Sequence, residues 1–119
     1  MWDLSIIDLD EALNRVMGRK DMYVRWLDKF FLPETIAELE DVFKKRDIKA
    51  ANAVLHKLKG TAANLAVTSV TEQTARLYER VKSGETDFVS MEEDYNAIIG
   101  AFHKASNMYL SNRSYISEY

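Results

Sequence analysis

The 119-residue chain contains no cysteine, one proline and four glycines. Without cysteine there is no disulfide framework and no thiolate metal site. That absence is compatible with a reducing cytoplasm, the location expected for this chain. So few turn-forming residues argue against a β-rich fold, and no segment alternates apolar and polar residues between turn signals. No apolar run approaches the ~20 residues of a membrane span. The N-terminus also lacks a basic stretch followed by an apolar one, so neither secretion nor membrane insertion is expected. A positive surplus is missing too: the formal net charge of −3 argues against a general nucleic-acid binder. There is no G-x-x-x-x-G-K-[ST] loop, no glycine-rich nucleotide motif and no acidic cluster suited to Mg²⁺.

What is present suits a folded domain. Hydrophobic residues make up 47% and charged residues 29% of the chain, and residues 1–119 read as one domain with one core. Asp8 with Glu11 reads as a capping box opening a short first helix that Gly18 ends. Asp21 is placed to cap a second helix carrying Met22, Trp26, Leu27, Phe30 and Phe31. Pro33 either kinks that helix or restarts it, and Ile36, Leu39, Val42 and Phe43 continue the stripe.

Asp47 opens a third helix with Ala51, Val54, Leu55, Leu58, Ala62 and Leu65 inward. Ser69 with Glu72 reads as the start of a fourth, bearing Val70, Leu77, Tyr78 and Val81 and ended by Gly84. Ser90 with Glu93 reads as the start of a fifth. There Met91, Tyr95, Ile98, Phe102, Ala105 and Tyr109 recur at four, three, four, three and four. Such a seam belongs to a helix bundle. The expectation is an all-α, antiparallel four-helix bundle with a short additional N-terminal helix as a lid, and a loosely ordered tail over 112–119.

Charge is unevenly spread. From Lys44 to Lys59 there are Lys44, Lys45, Arg46, Lys49, Lys57 and Lys59 against one acid, Asp47. A partner using this segment should be anionic. Within it, the stretch LHKLKGTAANLA (55–66) interrupts an apolar stripe with a histidine, two lysines and a glycine. Helical geometry puts His56 on the face opposite the stripe, with Asn52, Ala53, Lys59, Gly60 and Ala63 as its surface neighbours. Mid-helix glycine costs about 1 kcal/mol relative to alanine. On the outward face, packing offers no reason for Gly60; clearance for a partner's backbone or a phosphoryl group near His56 does.

Taken singly, a surface histidine is a solvated residue and surface lysines are solubilising ones; the ordered group H-x-x-K-G on one helix is more specific. The run His56-Lys57-Leu58-Lys59-Gly60-Thr61-Ala62-Ala63-Asn64-Leu65 resembles the signature of histidine phosphotransfer domains, approximately H-x-L-K-G-[ST]-A-x-x-[LI]-G. The aromatic pair Phe30 and Phe31 and the L-x-E element of Leu77 and Glu79 fall in matching places. Ala66 departs from the pattern, standing where the family often has glycine.

The resemblance implies a single histidine phosphotransfer domain over 1–119, acting as a phosphocarrier and not a kinase. His56 would accept a phosphoryl group from a receiver-domain aspartate and pass it to another receiver. An exposed imidazole offers a free ring nitrogen in its neutral form. Lys59, one turn away, would neutralise charge on the transferred group, which carries roughly −1.5 to −2. Lys57 would steer the acidic receiver, Gly60 would give clearance, and Ala53 and Ala63 would line the docking surface. No cofactor is expected on this chain, Mg²⁺ belonging to the receiver. The partners would be response-regulator receivers, including those of hybrid sensor kinases, and the chain is expected to be monomeric so that the histidine face stays open.

The alternatives are a helical adaptor that binds a partner without phosphorylation, a metal site built from His56 and His103, and a hydrolase using His56 as base. The histidines lack an H-x-x-x-H spacing. No Ser, Asp or Glu lies three or four residues from His56 on its own helix.

Overall fold

A computed structural model describes residues 1–119 as seven helices without a strand. They are α1 (Leu9–Arg15), α2 (Lys20–Phe30), α3 (Glu34–Lys44), α4 (Ile48–Asn64), α5 (Thr68–Lys82), α6 (Glu92–Ser111) and α7 (Tyr115–Glu118). The α2–α3 pair, α4, α5 and α6 form an antiparallel four-helix bundle, with α1 against α2 as the additional N-terminal helix. Its interior is one cluster of 29 buried hydrophobic residues.

The seam anticipated for the last long helix is the interior face of α6. Met91, Ile98, Phe102, Ala105 and Tyr109 are buried, and Tyr95 is half-buried against Phe43 at 4.5 Å between ring centroids. Pro33 restarts the second helix instead of kinking it. Proline donates no backbone N–H, so it suits a helix start, and it stands as the N-cap of α3, with helical structure interrupted between Phe30 and Glu34.

Asp8 and Asp47 cap α1 and α4 as expected, accepting from the N–H groups of Glu11 and Ala50. Three other expected starts are displaced. Asp21 lies inside the first turn of α2, whose cap is Arg19 without a side-chain hydrogen bond. Ser69 lies inside α5, which starts from Val67, and its N–H donates to the Ile6 carbonyl at 3.3 Å. Ser90 precedes the Met91 cap, and its hydroxyl donates to Glu85 at 2.6 Å. At Ser69 and Ser90 a tertiary or loop partner takes the group that a capping box would use.

Helix ends are closed by left-handed residues at Met17, Gly18, Arg46, Ala66 and Gly84. At Ala66 (φ 56°) the Val67 N–H donates to the Ala62 carbonyl at 2.9 Å, satisfying an acceptor left open by the end of α4. The departure from glycine therefore leaves the helix end intact, at a cost of about 1 kcal/mol for a Cβ in this conformation. Fully buried Tyr23, which the stripe of Met22 and Trp26 passed over, donates its hydroxyl to the Leu65 carbonyl at 2.5 Å. Burial pushes its phenol above the ordinary value.

Residues 112–119 do not form a loose end: they turn into α7, which packs on α2 and buries Ile116 completely. Tyr115 stacks on Trp2 at 5.5 Å, and Arg113 Nε donates to Asp28 at 3.0 Å. The Arg113 guanidinium holds the Asp28 carboxyl below its ordinary value.

A charged clamp fixes the loop from α5 to α6. Arg80 Nε donates to Glu85 at 2.7 Å and its Nη1 to Asp94 at 3.0 Å. Hydrogen bonds from Arg80 and Ser90 push the Glu85 carboxyl down from 4.5 to about 2. A carboxyl depressed in the fold stabilises it above its unfolded value and loses that contribution as pH falls through its folded value. Thermal midpoints should therefore drop for the wild type between pH 4.5 and about 2, and drop less steeply for Arg80→Gln. Parallel curves for the two proteins would show that the clamp is not coupled to folding.

Candidate functional site

His56 sits at the middle of α4 and is exposed, whereas Ala51, Leu55, Leu58 and Ala62 on the same helix are buried. Periodicity alone forces this: Leu55 and Leu58 turn the helix toward the core, and the intervening residues face out. Gly60 and Ala53 are exposed, Ala63 and Lys59 half-buried. A Cβ built on Gly60 would meet no atom within 4 Å, so nothing inside the protein requires a glycine there.

His56, Lys59 and Lys57 divide between two flanks of α4. On the flank toward α5, the His56 imidazole lies nearly parallel to the Tyr78 ring, with centroids 5.5 Å apart and planes at 15°. Lys59 Nζ stands 5.2 Å from the centroid of that same ring, and Lys82 Nζ 5.9 Å from it. Neither lysine takes part in an ion pair.

On the flank toward α3, Lys57 Nζ pairs with Glu38 at 2.7 Å. Both side chains are largely exposed, so the pair is worth about 0–1 kcal/mol and holds Lys57 only weakly. The structure thus joins Lys59 to His56 and sets Lys57 apart. Next to Lys57 an open groove runs between α2–α3 and α4, lined by Trp26, Leu32, Glu38, Val54 and Thr61 among others. Trp26, read from the sequence as a core residue, is 44% exposed here.

Neither Tyr78, stacked on His56, nor Lys82, over the Tyr78 ring, carries a local sign of its place. Tyr78 adjoins the buried stripe of Leu77 and Val81 and reads as core edge; only the packing of α5 along α4 reveals its position. Their spacing, four residues apart on one helix face, is the one available hint. Leu77 of the L-x-E element is fully buried, and Glu79 is exposed.

At this face an accessible imidazole stands among small residues, with the unpaired ammonium groups of Lys59 and Lys82 about the neighbouring Tyr78 ring. Such a site can receive or hold an anionic group brought by a partner. Comparison with curated proteins and with solved structures returns no match. The family model for the Hpt domain matches residues 29–97, more than half of the chain and the whole of α3, α4 and α5, and the chain belongs to this family of histidine phosphotransfer domains.

Proposed function

We propose that His56 is the phosphoacceptor of a phosphorelay, taking a phosphoryl group from a receiver-domain aspartate and giving it to another receiver. Membership of the family implies histidine phosphotransfer through receiver domains. The observation that carries the finer assignment is the exposed His56 with unpaired Lys59 on its flank.

A ring nitrogen lone pair attacks phosphorus, the P–O bond of the aspartyl phosphate breaks, and the carboxylate leaves with the bonding electrons. The return step reverses this. Such transfer depends on alignment and on stabilising the equatorial oxygens. Lys59 supplies one positive charge; the receiver supplies Mg²⁺ and the aspartate. Ala53, Gly60 and Ala63 form the surface on which the receiver settles, and Lys57 exchanges Glu38 for acidic groups of the partner. The carrier works as a cytoplasmic monomer.

The test is incubation with receivers phosphorylated at aspartate. Acid-labile, base-stable label on the chain supports the carrier, and absence of label across a panel of receivers favours an adaptor that binds without phosphorylation.

Gly60 separates docking from folding. Gly60→Gln should raise stability by about 0.5 kcal/mol through helix propensity, since no atom lies near its Cβ. It should lower transfer from a receiver by about 10- to 100-fold, because a long side chain intrudes where the partner's backbone approaches. Calorimetry and transfer kinetics check the pair of effects. Unchanged transfer would mean that the receiver does not approach over Gly60.

A further inference from the structure

We propose that Tyr78 is the positioning residue for His56, and that its ring gathers Lys59 and Lys82 into a two-cation pocket for the phosphoryl group. This rests on His56 being the acceptor. An exposed imidazole otherwise exchanges rotamers on the picosecond to nanosecond scale, and only orientations presenting a ring nitrogen to the donor are productive. Stacking at 5.5 Å and 15° restricts the imidazole to a plane parallel to Tyr78. Because α5 packs along α4, that plane is fixed to the bundle and not to the mobile side chain alone.

The same ring attracts both ammonium groups, at 5.2 and 5.9 Å from its centroid. Neither lysine is held in an ion pair, whereas Lys57 on the opposite flank is matched by Glu38. Unpaired positive charge thus collects about the Tyr78 ring on the α5 flank, where it draws an incoming phosphoryl group. Tyr78 is half-buried: one part of its ring packs against the core and the rest is left to meet His56 and the two lysines.

The experiment compares wild type, Tyr78→Phe, Tyr78→Leu and Lys82→Gln with two donors. A phosphorylated receiver tests the full reaction. Phosphoramidate tests the imidazole without docking: its P–N bond breaks, ammonia leaves, and a new P–N bond forms to His56. Proton NMR of the His56 ring reports the stacking directly. Upfield ring-current shifts should be present in wild type and Tyr78→Phe and lost in Tyr78→Leu.

With both donors the rate should fall on the order of 10-fold in Tyr78→Leu and return to within about twofold of wild type in Tyr78→Phe. Lys82→Gln should keep the ring shifts and lose about threefold in rate. A merely structural tyrosine would change the melting temperature while leaving the rate of the folded protein alone. Equal rates in wild type and Tyr78→Leu overturn the assignment of the ring, and equal rates in Lys82→Gln overturn that of the lysine. Wild type that takes no label from either donor overturns the acceptor reading itself, a result distinct from both.

Discussion

His56→Gln is expected to take no label from a phosphorylated receiver, a fall of at least about 10³-fold, while folding as well as the wild type. The amide nitrogen of glutamine has its lone pair delocalised and cannot attack phosphorus, although its side chain is close to histidine in reach. The energetic cost to the fold is small for two opposed reasons. The substitution removes a stacked contact with Tyr78, worth roughly 0.5–1 kcal/mol at a surface. It also replaces a middling helix former with a good one, regaining a few tenths of a kcal/mol.

The melting temperature should therefore stay within a few degrees while label disappears, which separates chemistry from unfolding. Autoradiography after acid and base treatment reads the first and calorimetry the second. Label on both proteins would move the phosphoacceptor elsewhere, and exposed His103 on α6 would be the next candidate.

How much of this was legible depends on whether the information was local. The α6 seam could be read because burial on a bundle repeats every three to four residues, and five of its six positions are buried. The outward position of His56 followed from the same periodicity in α4. Asp8 and Asp47 were legible because an aspartate cap acts on an N–H three residues away. Ser69–Glu72 and Ser90–Glu93 have the spacing of capping boxes, but the turn at Ala66 launches α5 early and Glu85 takes the Ser90 hydroxyl.

Tyr23 could have been found, since Tyr23, Leu27 and Phe30 have helical spacing and all three are buried. Tyr78 could not, because its position beneath His56 is set by the pairing of two helices distant in sequence. The tail is illegible because its one aliphatic residue, Ile116, stands among polar residues and two tyrosines, in too short a run to show a period.

That residue yields the largest expected effect on stability. Ile116→Ala should destabilise the fold by about 2–4 kcal/mol, through loss of buried methyl groups and the cavity left behind. Ile116 is fully buried although α7 has only four residues, so its side chain and not helix propensity holds the segment in place. Around it the anchoring is polar and more exposed: Arg113 with Asp28, Lys20 reaching the Ser117 carbonyl at 3.5 Å, and Tyr119 with Asp10.

Such exposed contacts are screened by solvent and add little, so Tyr119→Ala should cost far less than Ile116→Ala. Arg113 is the intermediate case, because Asp28 also accepts from the buried end of Tyr109 at 2.6 Å. Urea unfolding of the two alanine variants decides the matter. A shift below ~1 kcal/mol for Ile116→Ala would mean that α7 rests on the bundle without being part of its core. A shift of the full size would make α7 a structural element of the fold, held to α2 by a single buried isoleucine.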